Sequence, residues 1–236
     1  MKILVAVPVY ARALPIQTVK CLMREQLHAL FVDGDEFHFH FLPACSHAAM
    51  GRNQIAADFL NGPCDVLVFV DADVTTETTG AVAKIARLAL NHQQVVGGAY
   101  RYKHDPESYP VGWFGGPLKG VALSDSAALI EVKTLPGGFL AIPREVFVKL
   151  KAAHPERKYD HAGHSFHCFF QFAFVDGSMY GEDALFCKEW LALGGKIYLD
   201  PEIALTHWDE SRPYAGHIGN WLKRQNGIAI AAEGVA

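Results

Sequence analysis

The sequence predicts an α/β protein whose mostly parallel central sheet is flanked by helices, and three observations carry that expectation. Strand and helix patterns alternate through the first hundred of 236 residues, as parallel sheets with right-handed crossovers require. Val66-Leu67-Val68-Phe69-Val70 is an unbroken apolar run that reads as a strand buried on both faces. That run delivers two acids, Asp71 and Asp73, at the strand's carboxyl end, where open sheets of this class bind ligands.

Each element has its own justification. Ile3–Val9 is apolar and short, so it reads as the first strand, followed by a helix over Leu14–Ala29. In Phe37–Pro43 the residues Phe37, Phe39 and Phe41 share one face and His38, His40 and Leu42 the other, the period of two that marks a strand. Helices are expected over Met50–Leu60 and Glu77–Leu90, with Val66–Val70 between them and a strand at Val95–Tyr100 after them.

The second half changes character. Arg101–Lys133 is rich in Gly, Pro and aromatics, and suggests short, partly antiparallel strands forming a smaller mixed sheet. A strand over Gly137–Ile142 precedes a helix over Pro143–Lys151 that opens on proline. His154–Tyr180 lacks periodicity. A helix at Glu182–Leu193 stops at Gly194-Gly195. Strands at Lys196–Leu199 and Ile203–Thr206 lead into a polar-aromatic tail. With no linker or repeat, the chain reads as one domain. Its parts are a front (1–100), a back (101–210) and a tail (211–236).

Composition narrows the class. Half of the residues are hydrophobic and 19% are charged, as in a globular protein rather than a disordered one. A net charge of −4 gives no global basic signature for nucleic acid. Five scattered cysteines without a C-x-x-C suit buried reduced thiols in a cytoplasmic protein. No apolar run approaches the roughly 20 residues of a membrane span. Met1–Ala13 mimics a signal peptide, but Pro8 and Tyr10 interrupt its apolar stretch.

Asp71-Ala72-Asp73 places like charges close together, which makes chemical sense beside a divalent cation. Mg²⁺ and Mn²⁺ favour such oxygens and commonly bind one or two carboxylates plus substrate phosphates. Alone, the pair has a plainer reading, with Asp73 as the N-cap of a helix beginning near Thr75. Four further features stand beside it. Gly137-Gly138 opens a strand, where paired glycines admit close backbone approach or simply make a turn. Gly181-Glu182-Asp183 puts two carboxylates at a helix start, where they also complement the helix dipole. His207 ends a strand, and Arg52-Asn53 begins a helix, offering a guanidinium either to phosphate or to solvent.

In that order and approximate spacing, these features resemble the GT-A fold glycosyltransferases, family-two-like and nucleotide-sugar dependent. The correspondence is a DxD pair, a glycine loop, an xED motif and a C-terminal histidine, over roughly Lys2 to Trp208. Pro8, Val9 and Tyr10 with Arg12, and Arg52 with Asn53, also look like that family's donor-binding edge. The resemblance implies that Asp73 and His207, with Asp71 facing metal or donor, hold Mn²⁺ or Mg²⁺ on the leaving diphosphate of a UDP or GDP sugar. It implies that Ala72, Gly137 and Gly138 line the donor, that Asp183 deprotonates the acceptor hydroxyl, and that Glu182 positions acceptor or donor.

The departures bear on the details. Where many inverting members carry an Asp-rich turn, this chain has Pro43-Ala44-Cys45-Ser46-His47, so the base is left open. The Q-x-x-R-W signature of processive synthases is absent from Asn220–Gln225, which favours transfer of one sugar. Arg-Asn helices before Leu-x-Phe-x-Asp-x-Asp strands also occur among retaining enzymes, and inversion through Asp183 is the expectation taken. The acceptor is sought at Tyr100–Trp113 and His154–Tyr180, where Arg101, Lys103, Arg157 and Lys158 mingle with Tyr102, Trp113, Phe166 and Phe169. Such surfaces suit a saccharide, a lipid-linked sugar or a hydroxylated nucleobase in DNA, the lipid case calling on the weakly amphipathic tail from Ala215. Rival readings are a haloacid-dehalogenase-like phosphatase with Asp71 as nucleophile and a non-catalytic sugar-nucleotide-binding module. His161, His164 and His167 are read as solvated loop histidines rather than a second metal site.

Overall fold

A computed structural model describes residues 1–10, 13–44, 46–115, 129–161, 163–210 and 212–226. Arg12, Cys45 and the tail from residue 227 lie outside the described residues. The strands are β1 Lys2–Pro8, β2 Glu36–Leu42, β3 Val66–Val70, β4 Val74–Thr76, β5 Val95–Gly97, β6 Ile130–Glu131, β7 Phe139–Pro143, β8 Lys158–His161, β9 His164–His167, β10 Ala173–Val175, β11 Ser178–Tyr180, β12 Ile197–Leu199, β13 Ala204–Asp209 and β14 Arg212–His217. The α-helices are α1 Ile16–His28, α2 Ala48–Asn61, α3 Ala81–His92, α4 Arg144–Ala153, α5 Glu182–Ala192 and α6 Ile218–Gln225.

The α/β class with a mostly parallel central sheet and smaller antiparallel sheets is what the chain adopts. Seven strands run in the order β2-β1-β3-β7-β5-β12-β6. Strands β2, β1, β3, β5 and β12 point one way, while β7 lies antiparallel between β3 and β5 and β6 closes the edge antiparallel to β12. Strands from both halves of the sequence therefore build one sheet.

Alternation along the strands sends side chains into two separate cores, and this is what makes the layers. Val66, Val68 and Val70 of β3 join Phe139 and Ala141 of β7 on the face covered by α1 and α3, through Leu22 and Ile85. Leu67, Phe69, Leu140 and Ile142 face the other way, against Ile55 and Phe59 of α2, Phe147 of α4 and Phe186 and Trp190 of α5. Both sets are almost fully withdrawn from water, and each large side chain so buried contributes roughly 1.5–3 kcal/mol.

Several sequence expectations shift. No helix begins near Thr75, because Val74–Thr76 pairs with β13 as a strand, so Asp73 is not a helix cap. The strand at Val95 ends at Gly97, and α3 begins at Ala81 rather than Glu77. Pro143 ends β7 and stands at the N-cap of α4. The aperiodic stretch from His154 holds two hairpins, β8-β9 and β10-β11. The polar-aromatic tail becomes β14 and α6. The cysteines Cys21, Cys64, Cys168 and Cys187 are free thiols, three of them buried. Among the described residues no helix is long and apolar enough to cross a membrane.

Candidate active site

The second sheet, β14-β13-β4, explains how two distant residues meet. β4 starts immediately after Asp73, and β13 runs antiparallel to it with His207 opposite Val74. The Trp208 amide donates to the Asp73 carbonyl at 2.8 Å, and Trp208 Nε1 donates to Thr75 Oγ1 at 2.9 Å. This pairing sets His207 Nε2 3.3 Å from Asp73 Oδ2. The other ring nitrogen, Nδ1, lies 2.9 Å from the Arg101 carbonyl. A carbonyl only accepts, so Nδ1 carries a proton, and Nε2, turned toward Asp73, donates to it when it also carries a proton and offers a lone pair to a cation when it does not. Metal-ligating histidines are commonly oriented in this way.

Lys103 reaches the same carboxylate oxygen, with Nζ 2.6 Å from Asp73 Oδ2. Burial works against the charge on Asp73, but hydrogen bonds from His207 and Lys103, reinforced by their charges, bring its carboxyl down to about 2. Among the described residues no three His, Cys, Asp or Glu side chains converge as a metal cage. One carboxylate and one imidazole nonetheless fit a divalent ion that arrives with two phosphates, since Mg²⁺-type ions rarely use all-protein cages. The Lys103 ammonium already marks that oxygen as a place for positive charge.

Asp71 has a different partner. Arg52 is only 3% exposed, and its Nη2 donates to Asp71 Oδ1 at 2.9 Å and Oδ2 at 3.2 Å. Its Nη1 donates to the Gly137 carbonyl at 3.1 Å. Its Nε lies 3.6 Å from Glu182 Oε1, an ion-pair distance that leaves the buried N–H without a hydrogen-bond partner. The guanidinium also sits over the Phe69 ring at 4.9 Å. Burial opposes its charge, but Asp71, Tyr100 and the acids of α5 more than offset this and raise its pKa. Arg52 is thus turned away from solvent. It ties Asp71, the Gly137-Gly138 loop and Glu182 together.

Asn53 braces the chain near Phe170. Its Oδ1 accepts from the Phe169 and Phe170 amides at 2.9 and 2.8 Å, and its Nδ2 donates to the Phe170 carbonyl at 2.8 Å. Sequence patterning cannot separate this buried pair from a surface Arg-Asn, because the faces of α2 differ little in polarity.

The glycine loop is shaped by these side chains. A Cβ on Gly138 would collide with the Asp71 carboxylate, 2.7 Å from its Cγ, and would stand 2.8 Å from the Tyr100 hydroxyl. A Cβ on Gly137 would come 3.0 Å from Arg52 Cζ. The Gly137 amide donates to Asp183 Oδ2 at 3.1 Å, while Asp183 Oδ1 accepts from the Ala184 amide at 2.7 Å. Two amides therefore fix that carboxylate at the start of α5. Burial and then Asp183 push the neighbouring Glu182 carboxyl up, and Arg52 pulls the other way.

At the opposite rim Val9 is buried, and its amide donates to the Leu42 carbonyl at the end of β2. Tyr10, just beyond Pro8, is 80% exposed. The Ala72 carbonyl accepts from Thr18 Oγ1 at 2.6 Å. The motifs did not single out Tyr100 or Lys103 as partners of the acids. Tyr100 packs its ring 4.6 Å from His207, and burial and Asp71 raise its hydroxyl well above the usual phenol range.

No family model and no curated protein matches the chain. Among solved structures it is similar to A197 from STIV, with a TM-score of 0.53 and 19% identity over 91% of this chain and 90% of that one. It is also similar to GalNAc-T7 crystallised with UDP, GalNAc and Mn²⁺, with a TM-score of 0.49 and 11% identity over 86% of this chain and 43% of that one. The first likeness shows a shared fold along nearly the whole length of both chains. The second is too distant to add weight.

Proposed function

We propose that the chain is a glycosyltransferase that moves one sugar from a nucleotide-diphosphate sugar to an acceptor hydroxyl. The observation that carries this reading is Asp73 at the end of β3 with the Nε2 of an oriented His207 3.3 Å away. Asp73 and His207 would hold Mn²⁺ or Mg²⁺, which when bound supplies a Lewis acid for the departing diphosphate. A nitrogen beside a carboxylate oxygen favours Mn²⁺. Asp71, paired with Arg52, would face the donor or share the metal. Tyr10 offers an exposed ring for the base, with Pro8 and Val9 behind it, and Ala72, Gly137 and Gly138 give the sugar a close backbone floor. Lys103, whose ammonium sits on Asp73 Oδ2, would have to give up that contact for a cation to be held there.

Asp183, oriented by the Gly137 and Ala184 amides, takes the proton from the acceptor hydroxyl in an inverting displacement. Glu182 positions the reactants beside it. The acceptor comes along β10-β11, where Phe174 stands opposite Met179, both exposed, on the hairpin that runs into Gly181. The phosphatase reading loses ground because its nucleophile, Asp71, is engaged at both oxygens by Arg52.

A panel of nucleotide sugars in thermal-shift assays with and without Mn²⁺ tests the proposal. One UDP or GDP sugar is expected to raise Tm only with the metal, by mass action on the folded state. Metal-dependent release of the nucleoside diphosphate should accompany that shift. A donor that binds without ever being turned over would point to a binding module, and release of phosphate from simple phosphomonoesters would overturn the reading.

A further inference from the structure

A second cavity lies along α2, away from the acids. Its volume is about 400 Å³, and it is walled by α2, the end of α4 and the β8-β9 hairpin. Ala57 and Asn61 of α2 face it. At 1.5 Å per residue, they stand about 7 and 14 Å down the helix axis from Arg52. Its size falls within the range of small-molecule sites, roughly 300–1,000 Å³.

Positive charge gathers at this cavity. Lys151, Lys158 and His167 all line it. Lys158 and His167 are directly opposed across β8 and β9, an arrangement that is unfavourable when both are charged. Several nearby acids are engaged elsewhere, while Asp160, two residues from Lys158 and opposite Ser165, is exposed. Glu189 accepts from Arg157 Nη1 at 2.6 Å, Glu156 lies near His154 Nδ1 and Arg157 Nε, and Asp58 pairs with His40. Among the described residues neither lysine has an ion pair. His167 is buried against Phe169, with ring centroids 4.6 Å apart. Burial, followed by Lys151, Arg157 and His154, pushes its imidazole below the usual range. Ser165 and Asn61 add neutral polar groups, while Phe166 and Phe169 supply flat apolar walls.

We propose that this cavity binds a phosphorylated small molecule of monosaccharide size, with Lys151, Lys158 and His167 around the phosphate and Phe166 against the ring. Two ammonium groups match the charge of a phosphomonoester, about −1.5 to −2 at pH 7. A monocarboxylate would leave one of them unmatched. The site is separate from the proposed donor site, and its occupancy does not depend on the transferase reading.

Calorimetric titration with inorganic phosphate, glucose 6-phosphate and glucuronate tests it, with the His167 ring signals followed by NMR. Saturable binding of both phosphates is expected, glucose 6-phosphate the tighter, with His167 shifting in step and glucuronate at least tenfold weaker. Lys158→Ala and Lys151→Ala should each weaken glucose 6-phosphate about tenfold or more, the usual loss for a charge-assisted contact. Both lysines are exposed, so these variants should fold, which circular dichroism checks. His207→Ala should leave phosphate binding here intact. No saturable binding, equal binding of glucuronate, or sensitivity to His207→Ala but not to Lys158→Ala would each overturn the assignment.

Discussion

Replacing Arg52 with methionine is expected to lower the unfolding free energy by about 3 kcal/mol, the lower end of the cost of breaking a buried ion pair from one side. The lower end applies because the Asp71 side chain keeps 25% of its exposure while that of Arg52 keeps 4%. The variant loses the two bonds to Asp71 and the one to the Gly137 carbonyl, and leaves Asp71 and Glu182 close together without their shared cation. Against a typical stability of roughly 5–15 kcal/mol this is a large loss. Urea denaturation measures it. Adding Asp71→Asn to Arg52→Met should recover part of the loss by removing the uncompensated charge, a coupling expected only between residues in contact. A variant as stable as the parent would show that the guanidinium does not tie the motifs together.

This role is invisible in the sequence. Nothing in Gly51-Arg52-Asn53 says whether the side chains point out or in. Their burial depends on Phe69 beneath Arg52 and on Phe169 and Phe170 folding back over Asn53, contacts made by residues far along the chain. By contrast, β3 is legible to the residue, because a strand covered on both faces needs an uninterrupted apolar run. The direction of β7 is not legible, since Phe139–Pro143 is equally buried and apolar content does not encode polarity. The β8-β9 and β10-β11 hairpins escape because many of their side chains on both faces are exposed, so no period-two signal forms. The acids and His207 could be picked out one by one. Lys103 and Tyr100, which complete their surroundings, carry no motif.

The second large effect concerns Asp183. Asp183→Asn should reduce kcat for sugar transfer, or for slow hydrolysis of the donor, by roughly 10²–10⁴-fold, the usual contribution of a positioned general base. Donor KM should change less, because the single amide oxygen of asparagine can still accept from the Gly137 N–H, though the Ala184 N–H then loses its acceptor. Steady-state kinetics with the donor found in the panel reads this split. A kcat within a few-fold of the parent would remove Asp183 as the base and turn attention to Glu182 or to a retaining route.

In the proposed reaction Asp73 and His207 act together on a cation brought by the diphosphate. The most direct measurement is Mn²⁺ binding followed by electron paramagnetic resonance, with and without UDP or GDP, for the parent, Asp73→Asn and His207→Ala. The parent is expected to bind Mn²⁺ weakly alone, because the Lys103 ammonium sits 2.6 Å from the same oxygen, and far more tightly with the cognate nucleotide. Either substitution should abolish that nucleotide-dependent gain while the protein remains folded. Equal Mn²⁺ binding in all three proteins, or a nucleotide that binds equally well without metal, would contradict the account.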